Sequence, residues 1–310
     1  PGIENVLRSI PNIKKSLKSG VTTLRVMSEE NYIDIELKNA IERGDIIGPR
    51  ILASGIGIVS ANGHGAAHTV CDGEEEILKQ IRKNFAQGAD HVKLFVTGGI
   101  SSPESTLELS SYSKEEILTA VKEAERAGSY VGAHAHGGVG MDLCIECGVR
   151  TLEHAAYINN KQLDKVIEKD LWIIGTFSIL FHPEGIEKND LKNDKIKAKV
   201  IKAREFIQNN FRDILKSEVN FALGTDSMHG LIGEEIKFVN NLGLDNYDAI
   251  KAATIKSAEA CMVDEYLGSI ESNKIADFIV LEGDPLVDIN NITNIKAVYK
   301  NGKKVREVSQ

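Results

Sequence analysis

One unit recurs along the chain: an amphipathic helical stretch ends at glycine, and an apolar strand begins within a few residues. It occurs at Lys18-Ser19-Gly20 before Val21-Thr22-Thr23-Leu24, and at Ala86-Gln87-Gly88 before His91-Val92-Lys93. It returns at Arg126-Ala127-Gly128 before Tyr130-Val131, and at Glu146-Cys147-Gly148 before Val149-Arg150-Thr151. Glycine suits the left-handed position that closes a helix, so each one marks a helix end. Ser113-Lys114-Glu115-Glu116 has the form of a capping box, with Ile117, Leu118 and Val121 following at helical spacing. Ile77, Leu78, Ile81 and Phe85 fall on one face of another helix. Repeated alternation of helix and strand requires a parallel sheet, because parallel neighbours need a crossover long enough to hold a helix.

Strands are expected at Thr22 to Val26, Arg50 to Ser54, Val92 to Thr97, Tyr130 to His134, Thr151 to Ala155, Trp172 to Phe177 and Asn220 to Thr225, seven in a pattern that wants eight. A parallel barrel must close, since a gap leaves backbone donors and acceptors unpaired along two edges. The expected fold is α/β, a (β/α)8 TIM barrel over residues 3–262 whose first strand is missing from the given sequence. Beyond a helical stretch from Asp248 to Cys261 the pattern changes. Ala276 to Leu281 and Lys296 to Tyr299 read as strands, and Asn301-Gly302 signals a hairpin that pairs Val298-Tyr299 with a short strand containing Val305. Residues 263–310 therefore read as a small β-sandwich lobe. A few strands alone are marginally stable, so the lobe expects partners from chain preceding Pro1.

A length of 310 residues accommodates a barrel of about 250 residues and a small appendage. Hydrophobic and charged shares of 42% and 26% are those of an ordinary globular protein. No stretch approaches the roughly 20 apolar residues of a membrane span, and no leader pattern is seen. A net charge of -8 offers no basic face for nucleic acid, so a small-molecule amide or peptide substrate is expected instead. Assembly into a homo-oligomer stays open. Cys144-Ile-Glu-Cys147 has CxxC spacing but sits inside a helical stretch without a second pair, which suits a packed helix face better than zinc or redox chemistry. Nothing calls for an oxidising compartment, and the cytoplasm is the default.

Lys93, His134, His154 and Asp226 each lie within or at the end of an apolar run, where a charge or imidazole is unwelcome unless it is used. Burial drives a lysine toward its neutral amine, which can take up carbon dioxide as a carbamate able to bridge two metal ions. The alternative for Lys93 is an ion pair with Asp90 or another carboxylate. Strand alternation puts His134 and His136 on one face, with His134 the expected ligand and His136 a substrate or supporting contact. A lone histidine at His154 would more often be a satisfied core residue, but the coincidence across neighbouring strands favours a ligand. Asp226, at the end of a strand, suits a proton shuttle beside an activated water; the competing role is a helix N-cap by Asp226 or Ser227. His64 and His229 lie in loops, as substrate contacts or plain surface.

At these residues the chain resembles the amidohydrolase superfamily, in particular its imidazolonepropionase-like and Xaa-Pro-dipeptidase-like branch. The resemblance spans nearly the whole sequence. It rests on Gly20-Val21-Thr22-Thr23-Leu24-Arg25, Gly48-Pro49-Arg50, Gly63-His64-Gly65, Gly88 to Lys93 with Thr97-Gly98-Gly99, Ala133-His134-Ala135-His136-Gly137, Glu153-His154-Ala155, Gly224-Thr225-Asp226-Ser227, and Ala276-Asp277-Phe278 with Gly283-Asp284-Pro285-Leu286. It implies a distorted TIM barrel with a β-sandwich built from both chain ends. It also implies one or two divalent metals, usually zinc, held by a His-x-His pair on strand 1, a carboxylated lysine on strand 4, histidines on strands 5 and 6, and an aspartate on strand 8. The last four elements match Lys93, His134, His154 and Asp226. No His-x-His precedes Gly20, and Ile3 to Lys18 resembles the helix that follows strand 1.

The expected activity is metal-dependent hydrolysis of an amide C–N bond, in a dipeptide or an N-acyl amino acid. Hydrolysis of a cyclic amide, as in imidazolonepropionase, is the alternative substrate reading. A catalytically impaired binding or scaffold relative is the reading from another class, should strand 1 be truly absent. The segment from Phe181 to Lys216 is expected to wall the site.

Overall fold

The computed structural model describes residues 2–65, 69–186, 188 and 193–307. Its wall begins with β1 (Thr23–Arg25) and β2 (Arg50–Leu52), which run parallel. Two short strands follow, β3 (Ile58–Val59) and β4 (Thr69–Val70), then β5 (Val92–Phe95), β6 (Val131–Gly137), β7 (Thr151–Tyr157), β8 (Trp172–Gly175) and β9 (Asn220–Leu223). The larger sheet has the order β4-β3-β5-β6-β7-β8-β9, parallel throughout. The β1-β2 pair joins it where Asp90 N donates to Ala53 O at 2.7 Å. All seven strands expected from the sequence are present, most trimmed at their ends, while β6 and β7 run on past His134 and Ala155. β3 and β4 were not expected, because two residues are too few to carry an alternating pattern. Among the described residues no ladder joins β9 to β1.

The sequence signals act locally as read. Gly88 and Gly148 close their helices with φ of 107° and 79°, a region that costs a side-chain-bearing residue about 1–2 kcal/mol. Ser113 and Glu116 form the reciprocal capping box at the start of the helix Lys114–Arg126. The helical stretch from Asp248 to Cys261 is instead two helices, Asn246–Ala252 and Ile255–Ala260. Thr254 breaks it: its Oγ1 bonds back to Ile250 O at 2.9 Å, and its backbone leaves helical geometry. Ile77, Ile81, Ile117, Met141 and Ile145 are fully buried in the main core cluster, each stabilising the fold by about 1.5–3 kcal/mol relative to exposure. Cys144 and Cys147 are buried free thiols in the helix Gly138–Cys147, consistent with the packing role. No described helix is long and apolar enough to cross a membrane.

The tail forms an antiparallel sheet of β10 (Phe278–Leu281), β11 (Ile295–Lys300) and β12 (Lys303–Glu307), in that order. Lys300 pairs with Lys303 across Asn301 and Gly302, whose φ angles of 52° and 73° suit a type I′ turn. Ile279, Leu281, Ile295, Val298 and Val305 pack with Leu17 of the helix Gly2–Lys18. Arg50, at the start of β2, pairs with Asp277 at 2.8 Å, so the sheet braces the barrel wall. Residues 308–310 of the expected lobe lie outside the described residues, as do 187 and 189–192 of the expected wall segment.

Candidate active site

Parallel pairing places Lys93 of β5 beside Gly132 of β6, which lies beside Thr151 of β7. Gly132 is required here, because a Cβ would meet the Thr151 hydroxyl and the Met27 methyl at 2.7 Å. His134 and His136, two and four residues further along β6, share its face as alternation dictates, with ring centres 4.7 Å apart.

On β7 alternation fails. Glu153 and His154 are neighbours and would point to opposite faces of a regular strand, yet both line the same cavity. The backbone makes this possible through positive φ at His154 (76°) and Ala155 (48°). Such strain costs about 1–3 kcal/mol per residue and clusters at functional sites. Its result is a His154 ring 4.8 Å from His134 and 5.2 Å from His136. Asp226, just after β9, also has a positive φ, 52°.

The cavity holds about 1090 Å³, and Lys93, His134, His136, His154, Asp226, His64 and His229 all line it. Lys93 lies 4.8 Å from the Phe95 ring centre. Asp90 is not its partner: that carboxylate pairs with Lys38 at 2.7 Å and accepts Ala53 N. No helix starts at Asp226 or Ser227; the next one begins at Ile232, so the N-cap alternative fails. His64 reaches His134 with ring centres 4.7 Å apart, while its Nδ1 lies 2.6 Å from Ser102 Oγ. His229 is tied instead to the helix Gly2–Lys18, its Nδ1 3.0 Å from Ser16 Oγ. The expected wall contributes Glu184, Gly185, Ile186 and Ile207.

Burial dominates the electrostatics. It lowers Lys93 to about 8, with Glu153 opposing the shift and Arg25 adding to it. Burial and the neighbouring imidazoles hold His134 and His154 well below the ordinary imidazole range, and His136 falls to about 3. All three are neutral at pH 7. Asp226 is open to the water of the cavity yet ringed by protein, which raises its carboxyl while Lys93 pulls it back. The ring of protein outweighs local exposure, since water confined in a cleft solvates a charge poorly.

Several functional candidates escaped sequence reasoning. Arg25 of β1 donates to Glu153 at 2.8 Å and to Thr151 at 3.1 Å, forming a buried pair beneath the histidines. Both charges interrupt apolar strands just as Lys93 does, so the same signal could have found them. Thr176, 2.6 Å from His154 Nδ1, and Gly98, whose carbonyl lies 3.2 Å from His134 Nε2, carry no such signal.

Among the described residues no three His, Cys, Asp or Glu side chains converge on one point as a metal shell does. The chemistry of the donor set nevertheless fits a divalent cation. Three neutral imidazoles, an amine of lowered basicity and a carboxylate surround one cleft, and His136 Nδ1 is buried without a hydrogen-bond partner.

The chain as a whole is similar to several known hydrolases. Ochratoxinase of Aspergillus niger is 28% identical over 326 aligned residues, covering 93% of this chain and 66% of that protein, so the chain spans just under two thirds of that relative's length. A Xaa-Pro dipeptidase solved with methionine in its active site is 29% identical, with a TM-score of 0.89 over 96% of this chain and 78% of that one. A prolidase complexed with N-methylphosphonate-L-proline is 27% identical, with a TM-score of 0.92 over 99% and 81%. The amidohydrolase family profile matches residues 11–305, and the chain belongs to the amidohydrolase family.

Proposed function

We propose that the protein hydrolyses an amide C–N bond in a dipeptide or N-acyl amino acid, with one or two divalent metal ions, zinc foremost. The observation that carries this reading is the gathering of Lys93, His134, His136, His154 and Asp226 around one cavity. A dipeptidase, a prolidase and an ochratoxinase among the similar proteins support the choice of an amide. The barrel over residues 3–262 would carry the chemistry, and the lobe beyond it would brace β2 through Arg50.

His134, His154, Asp226 and Lys93, the last as a carbamate, would hold the metal. A bound divalent ion lowers the pKa of water from about 15.7 to about 7 and polarises a carbonyl. Asp226 takes the proton of the attacking water and returns it to the amine nitrogen as the C–N bond breaks. His136, neutral and with Nδ1 unpartnered, would contact the substrate carbonyl, and His64, its ring centre 4.7 Å from that of His134, would contact the substrate beside it. Ile100, Ile179 and Leu180 line the apolar side of the cleft, where an apolar part of the substrate would lie.

Asp226→Asn should lower turnover of a dipeptide by about 10²–10⁴-fold, the usual worth of a general acid–base group. Zinc content, one to two ions per chain by elemental analysis, should largely survive. Unchanged turnover would refute the shuttle role, and no metal uptake after zinc supplementation would refute the metal-dependent reading.

A further inference from the structure

The ladder between β7 and β8 stops early. Its pairs are Thr151 with Trp172, Leu152 with Ile173 and Glu153 with Ile174, so His154 has no partner on β8. Just there its φ turns positive, and the strand no longer dictates where the imidazole points. A side chain supplies the missing tether: Thr176 Oγ1, just past the end of β8, lies 2.6 Å from His154 Nδ1. Thr176 itself lies outside the strand, where the chain turns from β8 into the short helix Ser178–Phe181, and that turn is held by another helix. Glu235, on the helix Ile232–Asn241, is fully buried; its carboxylate accepts Phe177 N at 2.8 Å and Ser178 N at 2.7 Å. No salt bridge to Glu235 occurs among the described residues, so this buried carboxylate serves the two residues that follow Thr176.

We propose that Thr176 and Glu235 are positioning residues for His154, Glu235 fixing the turn after β8 and Thr176 orienting the imidazole through Nδ1. This rests on His154 being a metal ligand as proposed above. With Nδ1 engaged, Nε2 is the nitrogen left to face the cleft. Glu235 thus acts two steps from the site, through backbone and then hydroxyl.

Zinc affinity, read by competition with a chromogenic chelator, tests the relay. Thr176→Val keeps the side-chain shape and removes the hydroxyl, and should weaken zinc binding about 10–100-fold, the usual effect of losing a ligand's supporting partner. Thr176→Ser restores the hydroxyl and should stay within about threefold of wild type. Glu235→Gln should weaken binding in the same direction. If both act through one route, the double variant Thr176→Val with Glu235→Gln should be no more than about twofold weaker than the worse single variant. Should Glu235→Gln fail to fold, the Val and Ser pair at Thr176 decides alone. A readout free of metal is the ring nitrogen spectrum of ¹⁵N-histidine-labelled protein, where His154 should show one tautomer in wild type and a mixture in Thr176→Val. Wild-type zinc affinity in Thr176→Val, or multiplying effects in the double variant, would overturn the proposal. A wild-type protein that binds no zinc but loses its single tautomer in Thr176→Val would overturn the metal reading and leave the positioning role standing.

Discussion

Lys93 illustrates the tension at single residues. Its ammonium is buried in a strand, with burial lowering it to about 8. An unfolded chain holds the lysine proton up to its ordinary value of 10.5, so between about pH 8 and 10.5 the unfolded state binds more protons and stability rises with pH. Below pH 8 both states are charged and the full burial penalty applies. Lys93→Met should therefore stabilise the metal-free protein by about 1–3 kcal/mol at pH 7, and the gain should shrink toward pH 10. Urea unfolding at several pH values checks this, and a pH-independent gain would count against burial as the cause. The same substitution removes the amine that a carbamate needs, so stability and activity should move in opposite directions. His154 and Ala155 show the tension in backbone form: positive φ at two non-glycine residues is tolerated where it turns a ring into the cleft.

At the scale of elements, the loop after β5 is held by a helix distant in sequence. Lys199, on the helix Asp194–Lys216, donates to Ser102 O at 2.7 Å and also to Gly99 O and Ser105 O. The same loop brings the Gly98 carbonyl to His134 and the Ser102 hydroxyl to His64. A Cβ at Gly99 would lie 2.4 Å from the His64 ring and would force that ring to move. Lys199→Met should free this loop, raising KM several-fold with a smaller change in kcat, and speeding amide exchange from Gly98 to Ser105. Unaltered exchange would show that the loop holds itself. Little of this was legible in the sequence. Lys199 lies on an ordinary lysine-rich helix face, and its partners are backbone carbonyls about a hundred residues away, which no periodicity records.

Across the whole molecule, the C-terminal sheet acts as a brace for the barrel wall. Arg50 joins Thr23, Asp277 and Asn301, and Lys300 donates to Gly48 O at 2.8 Å. Asp277→Ala leaves a partly buried guanidinium without its carboxylate. It should cost about 1–3 kcal/mol of stability, seen as a lower melting temperature, because Arg50 keeps two neutral partners and some water. Zinc affinity should hold, since the hydrogen bonds of the pair run to Thr23 and Asn301 and to none of the proposed ligands; a loss of both would tie the brace to the site.

The alternation of helix and strand, the helix-closing glycines, the Asn301-Gly302 turn and the anomaly of Lys93, His134, His154 and Asp226 were determined by the sequence alone. Each is a local matter: a conformational preference, a period, or a charge set among apolar neighbours. Tertiary structure alone decided that Glu153 and His154 face the same cavity, that Thr254 splits one helical stretch into two, and that Thr176 meets His154, Glu235 meets Phe177 and Ser178, and Lys199 meets the loop after β5. Those outcomes depend on where ladders stop and which backbone groups lose their water, and such quantities exist only once distant segments have packed.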